Sequence, residues 1–378
     1  MAEINKLFLH FFHKILNLPS TELLSIAMNL PFFSICIPQY NRTSFLLRVL
    51  ESLNMQTFRD FEICISDDCS TDGREQEIVD YLQNTGLKFQ YSKTEKNVRY
   101  DKNLRRAIGL ANGRYCFLLG NDDMLAGPET LAQLHNVMRA HDFPEVAVTN
   151  YQEIATGAMY QRMQFTGVLG SGPRTAANNF RNFSFVSGLV LDRELAHKHE
   201  TDQWDVAAFY QTYLGTRILA AGGRLLAVSD VVILKDVQIP GEQVDTYRAW
   251  PVLKNCPIIE RPLNLAPIGR LAFAAVEPYV EGREREKIAR RIFGQLLMFT
   301  YPPWLFEYRR IQSWRYAAGI CLGMRAKNLL KYTALGMATR IYLQMLHALV
   351  SLAGLFIPLW IFFRFKPWLH QFAKRPKK

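Results

Sequence analysis

The chain has 378 residues, 49% of them hydrophobic and 21% charged, which excludes a disordered protein and describes a globular one with an apolar bias. Its formal net charge of +11 is unevenly placed: thirteen of the 45 Lys and Arg follow Glu307, and none of the 34 acidic residues does. Residues 1–307 thus carry 32 basic and 34 acidic residues, so the body is not basic and nucleic acid is not expected as a partner.

The six cysteines, at 36, 64, 69, 116, 256 and 321, form no C-x-x-C pair. Cys36, Cys64 and Cys116 lie inside apolar runs and read as reduced, buried thiols of a reducing compartment. The opening residues hold a short apolar run with His10, His13 and Lys14 and no small-residue cleavage site, so a secretory signal is not expected.

Residues 1–31 read as a helical preface, because Leu7, Phe8, Phe11, Phe12, Ile15 and Leu16 recur at helical spacing before Pro19. From Phe32 a regular alternation begins. Phe32–Ile37 is a β-rich apolar run ending at Pro38-Gln39-Tyr40-Asn41. Thr43 is placed to cap a helix whose apolar face is Phe45, Leu46, Val49, Leu50 and Leu53. Phe61–Ser66 predicts a second strand, ending in Asp67-Asp68, and Ile78, Val79 and Leu82 mark the next helix. A strand near Leu87–Tyr91 precedes a helix carrying Leu104, Ala107, Ile108 and Ala111, which Gly113 closes. A fourth strand, Tyr115–Leu119, stops at Gly120 and is followed by Asn121-Asp122-Asp123. This alternation predicts an α/β protein with a parallel sheet wound by right-handed crossovers.

The chemistry lies at the strand ends, where open α/β sheets bind ligands. An aromatic ring there can stack on a nucleobase, and a carboxylate can accept from a base N–H or a ribose hydroxyl. A second acidic pair can hold a divalent cation on a diphosphate. Neither G-x-G-x-x-G nor G-x-x-x-x-G-K-S/T is present, so a glycine cradle for the phosphates is not expected. Taken alone, Asn121-Asp122-Asp123 also fits a polar turn before a helix begun by Pro128.

In order and spacing, Pro38-Gln39-Tyr40-Asn41, Asp67-Asp68-Cys69-Ser70-Thr71-Asp72-Gly73, Gly113-Arg114-Tyr115 and Asn121-Asp122-Asp123 resemble family 2 glycosyltransferases of the GT-A fold. The resemblance covers roughly residues 32–150. Asn97 to Asn103, with Tyr100 and Asp101, is similar to bacterial abequosyltransferase-like enzymes that add sugars to lipid-linked O-antigen units. The resemblance implies a Rossmann-like, mostly parallel sheet flanked by helices. It implies a nucleotide-diphospho-sugar donor bordered by Pro38, Tyr40, Asn41, Asp67, Asp68 and Asn103. Asp122 would reach a Mg²⁺ or Mn²⁺ on the diphosphate, and Asp123 would lie near the donor sugar. The family motif carries a carboxylate two places before the metal-binding Asp, where this chain has Gly120.

Beyond Asn150 the alternation breaks down into a loop-rich acceptor side, 151–300, in which Phe185–Leu191 reads as a strand. An inverting transfer needs a base for the acceptor hydroxyl. The resemblance places it at the start of a helix, here Asp205 or, second, Asp202, ahead of an apolar helix around Phe209–Ala221. The same residues also fit simple caps of that helix. The charged stretch Glu281–Arg291 reads as a solvated helix face.

Residues 301–378 form a basic, apolar tail. Residues 341–363 are uncharged, with Arg340 before them and Arg364 and Lys366 after. That length can cross a bilayer core, but basic flanks on both sides oppose a single span. The expected arrangement is a peripheral or re-entrant tail on the cytoplasmic face of the bacterial inner membrane. Arg340, Trp360, Arg364 and Lys366 would meet anionic headgroups there. A true span and a buried helical subdomain are the alternatives. The expected function is metal-assisted sugar transfer to a polyprenyl-diphosphate-linked glycan. A nucleotidyltransferase and a non-catalytic membrane-binding protein are the competing readings.

Overall fold

The computed structural model describes residues 30–205, 207–242, 265–311 and 313–365. The expected preface, apart from its last two residues, lies outside these, as do Cys256 and Lys366. The strands are β1 (Phe33–Gln39), β2 (Phe61–Asp67), β3 (Lys88–Lys93), β4 (Tyr115–Leu118), β5 (Met124–Leu125), β6 (Val146–Glu153), β7 (Met159–Tyr160), β8 (Gly167–Gly170), β9 (Leu189–Asp192) and β10 (Leu225–Lys235). They form one sheet in the order β3-β2-β1-β4-β9-β6-β10-β5, with β7 on β6 and β8 on β10.

Neighbours among β1 to β4 run parallel, as do β6 and β10. Strand β9 is antiparallel to both β4 and β6 and joins the two parallel halves. Only the end of the predicted run Phe185–Leu191 is strand, because Gly188, with φ +78°, turns the chain just before β9. One sheet thus continues across residue 150.

Both faces of the sheet are covered, and β1, β2 and β4 are buried along their whole length, polar Ser34 and Glu62 included. Alternate residues of β1 face opposite ways. Phe33, Ile35 and Ile37 enter one core with Leu46, Val49, Leu50 and Leu53 of the helix Thr43–Asn54. Cys36 enters the other with Leu104, Ala107 and Ile108 of the helix Tyr100–Gly109. Each buried Ile or Phe contributes about 1.5–3 kcal/mol. Burial pushes the Cys36 thiol well up, and the five described cysteines are all free.

Two local expectations change. The helix that Gly113 was expected to close ends at Gly109. Gly113 is instead required by close approach: a Cβ there would lie 2.8 Å from both the Pro31 carbonyl oxygen and Ser34 Oγ. Thr43 does not cap its helix; its hydroxyl donates to Asp72 Oδ2 at 2.7 Å. The charged stretch lies in the helix Gly282–Gln295, which buries Ile288, Ala289, Ile292 and Phe293 on one face. That helix runs through a π-helical turn, Leu296–Thr300, into Tyr301–Ile311, where Pro302 and Pro303 supply no amide donors.

Candidate active site

Gln39, the last residue of β1, is the hub of the carboxyl edge. Its carbonyl accepts from the Asp68 amide at 2.8 Å and from Asn103 Nδ2 at 2.9 Å. Its side-chain oxygen accepts from Asn121 Nδ2 at 2.8 Å. One fully buried residue, through its backbone carbonyl and its side-chain amide, therefore ties together the ends of β1, β2 and β4 and the helix Tyr100–Gly109. Sequence reasoning treated Gln39 only as part of a motif, and nothing in the pattern marked it as a joint.

Most of the predicted nucleotide-side residues hold this edge in shape. Asp67 Oδ1 accepts from the Ser70 amide and Oδ2 from the Tyr91 hydroxyl, both at 2.7 Å. Asp68 accepts from the amides of Val98 at 2.5 Å and Arg99 at 2.9 Å, fixing the turn into the helix at Tyr100. Asn41, in the left-handed region with φ 51°, accepts from the Thr71 amide at 2.8 Å. Two groups do no such work: Tyr40 is 44% exposed, and the buried Asn103 Oδ1 has no hydrogen-bond partner. Pro38 is buried in β1 beside them.

The acid pair sits on a turn held from β10. The amide of Asp236 donates to Asp123 Oδ1 at 3.0 Å, and that of Val237 donates to the Asp122 carbonyl at 2.8 Å. The Ser187 hydroxyl donates to Asp123 Oδ2 at 2.5 Å while accepting from the Gly120 amide at 2.8 Å. Arg42 Nη1 donates to Asp122 Oδ2 at 2.5 Å. Burial, then the charge of Asp122, pushes Asp123 up to about 7, against the opposing bonds from Ser187 and Asp236. Burial also raises Asp122, opposed by Arg42. Arg42, Ser187 and Asp236 were not foreseen. They reach the site from a loop and from two later parts of the sheet, and no spacing in the sequence connects them.

Gly120 occupies a filled position. A Cβ there would lie 3.1 Å from Asp123 Oδ2 and 3.2 Å from both Asp122 Oδ1 and Ser187 Oγ. Among the described residues, no three His, Cys, Asp or Glu side chains converge on a possible metal position. Of the acid pair, both oxygens of Asp123 are bonded, which leaves Asp122, with its counter-ion, as the donor. This fits a hard cation that brings its other ligands as phosphate oxygens and water, and does not fit a protein-caged metal.

Asp205 lies five residues before the helix Tyr210–Ala220 and does not cap it. Both of its carboxylate oxygens engage Arg105, at 3.2 Å from Nε and 2.6 Å from Nη2, and Arg105 also reaches Glu200 at 2.9 Å. Asp202 is exposed. The helix is capped from elsewhere: buried Asp101 accepts from the amides of Ala208 at 2.5 Å and Tyr210 at 2.9 Å. Burial raises the Asp101 pKa, opposed by those two bonds.

Residues 34–190 match the family described as Glycosyl transferase family 2. The chain is 30% identical over 200 residues to abequosyltransferase RfbV of Salmonella typhimurium, covering 48% of this chain and 57% of that one. It is 34% identical over 177 residues to the amylovoran biosynthesis glycosyltransferase AmsB of Erwinia amylovora, covering 45% and 58%. These matches span little more than half of either relative. The crystal structure of S. aureus TarS 1–349 in complex with UDP-GlcNAc superposes with a TM-score of 0.60 at 18% identity, covering 88% of this chain and 91% of that one. That likeness is one of fold, the GT-A type. The match to glycosyl transferase family 2 spans a domain, residues 34–190, that holds the strand-end acids.

Proposed function

We propose that the chain transfers a sugar from a nucleotide-diphospho-sugar to a polyprenyl-diphosphate-linked glycan, with inversion, in bacterial surface-polysaccharide (O-antigen) synthesis. The observation that carries this reading is the junction at Gln39, which brings an exposed aromatic, an open amide oxygen and an acid pair to one sheet edge. The Tyr40 ring stacks on the base, and Asn103 Oδ1 accepts from a base N–H or ribose hydroxyl. Asp67 and Asp68 keep that wall in place through their bonds to Tyr91 and to the amides of Ser70, Val98 and Arg99.

Asp122 would hold Mg²⁺ or Mn²⁺, which when bound would supply Lewis-acid stabilisation of the leaving diphosphate. Asp123, anchored by Ser187 and the Asp236 amide, presents the donor sugar. Asp205 takes the acceptor proton, with Asp202 the second candidate. The acceptor oxygen bonds to the anomeric carbon, the bond from that carbon to the diphosphate oxygen breaks, and the proton passes to the carboxylate. Arg105 orients Asp205 through its two-point contact.

The Arg42–Asp122 ion pair and the absence of a three-ligand set among the described residues favour one competing reading, a degenerate, non-catalytic domain. Nucleoside diphosphate release from a panel of nucleotide sugars, with lipid-extract acceptor and Mg²⁺ or Mn²⁺, decides between the two. Release that Asp122→Asn and Asp205→Asn each abolish supports transfer. Release from none of the donors supports the degenerate domain, and wild-type rates in both variants overturn the site assignment.

A further inference from the structure

The helix Met337–Phe356 has two unlike faces. One is seated on the body by specific contacts. Gly354 packs so closely that a Cβ there would lie 2.6 Å from Leu305 Cδ1. The Tyr301 and Ser351 hydroxyls are 2.8 Å apart, and His347 Nε2 lies 3.1 Å from the Cys321 carbonyl oxygen. Arg309 donates to the carbonyls of Gly354 and Ile357, each at 2.7 Å, and Arg290 Nε donates to Thr339 Oγ1 at 2.8 Å.

The opposite face carries Ile341, Met345, Leu349, Leu352 and Phe356, each between 47% and 68% exposed. They recur every three or four residues, so they form one stripe along the helix. After the helix breaks at Ile357-Pro358, Trp360 follows, 71% exposed. An apolar stripe of this length does not suit a helix that faces water.

Its 20 residues are long enough to cross a bilayer. The seated face argues against crossing. In hydrocarbon, Thr339, His347 and Ser351 would lose their partners on the body with no water to replace them. Breaking the helix at Pro358 also divides the uncharged run 341–363 into two shorter pieces.

We propose that Met337–Phe356 lies flat in the surface of an anionic bilayer, its stripe in the acyl boundary and its other face still docked on the protein. Charge selects lipid over a second copy of the chain. Arg315, Arg325, Lys327, Lys331 and Arg364 are exposed in this helical region, and no acidic residue follows Glu307. Anionic headgroups attract such a surface, and a second copy repels it. Arg340, expected among the headgroups, is instead spent on the carbonyls of Leu335 and Thr333, at 2.9 and 2.8 Å.

The test is co-sedimentation of the full chain with vesicles of phosphatidylcholine, with and without phosphatidylglycerol, followed by an alkaline carbonate wash. The expected result is binding to the anionic vesicles and release by carbonate. Met345→Glu with Leu349→Glu weakens binding about tenfold or more, as losing two buried apolar side chains should. Circular dichroism confirms that this variant folds, and its donor turnover in solution stays at wild type, which separates this proposal from the sugar-transfer reading. If the double variant does not fold, Trp360→Ala takes its place and also lowers binding. Wild-type binding by the folded variant overturns the proposal, as does resistance to carbonate, which marks a span. A wild-type dimer that ignores vesicles and that the variant dissociates overturns it in favour of a second copy.

Discussion

Arg42 and Asp122 are 80 residues apart in the chain and 2.5 Å apart in space, so the loop after β1 supplies a cation to the turn after β4. The carboxylate expected to reach a metal already has a counter-ion, and under the proposed function donor binding would exchange one partner for the other. Asp122→Asn is expected to lower nucleoside diphosphate release by about 10²–10³-fold, the scale for losing one preorganised charge-stabilising group. Arg42→Ala is expected to lower the Mg²⁺ or Mn²⁺ concentration needed for half-maximal activity, since it removes the competitor. An unchanged cation titration in Arg42→Ala would show that the pair does not gate the site.

Asp123 gives a pH dependence of stability. Burial first, and Asp122 second, raise its carboxyl to about 7 in the folded chain, against an ordinary value near 3.9. A raised folded-state value means that the contribution is present below the ordinary value and is lost as pH rises through 7. Asn at this position has no such charge. Its oxygen can still accept from the Asp236 amide, and its NH₂ can donate to Ser187 Oγ. Asp123→Asn is therefore expected to gain stability relative to wild type between about pH 5 and 8 in cation-free buffer, read from urea midpoints. Parallel midpoints across that window would refute the buried-charge argument.

Gly120 tests whether the missing family carboxylate could be restored. Gly120→Ala pushes a methyl group against three oxygens at 3.1–3.2 Å and is expected to cost about 1–3 kcal/mol of stability, measured by urea unfolding. Gly120→Asp adds a third carboxylate to an acid pair and is expected to be worse in EDTA, with partial recovery in Mn²⁺. Recovery in EDTA alone would contradict the crowding described here.

Asp101 is the anchor of the helix Tyr210–Ala220. Removing it strands the buried Tyr210 amide and frees that of Ala208, and Asp101→Ala is expected to cost about 1–3 kcal/mol. Because the loop bearing Asp205 leads directly into that helix, transfer should fall with it, although Asp101 contributes no group to the chemistry. A thermal melt beside a turnover assay checks both. Full turnover in a destabilised Asp101→Ala would separate the helix start from the base.

Hydrophobic periodicity made the first four strands and their helices legible, because each is a local pattern, buried throughout in β1, β2 and β4 and half-buried in the edge strand β3. The antiparallel strand Leu189–Asp192 was legible as apolar but not in direction, since orientation depends on which neighbours it pairs with rather than on its residues. The strand-end acids were visible as motifs. Their partners were not: Arg42, Ser187 and Asp236 carry no distinctive spacing, and only the sheet order brings them together. Asp101 shows the opposite case, a residue noticed for a family pattern whose visible work is to cap a helix more than a hundred residues later.

The bonds from Asp236 and Val237 to the acid turn separate the boundary of family likeness from the boundary of folding. The matched region stops at residue 190, yet β6 inside it pairs along its length with β10, at 225–235. A protein cut at 190 would leave the β6 edge bare and the Asp122–Asp123 turn without two of its hydrogen bonds. The segment that carries the family likeness is thus not a module that evolution or an experimenter can move on its own. Its acids become a site only when a strand with no family signature closes the sheet beside them.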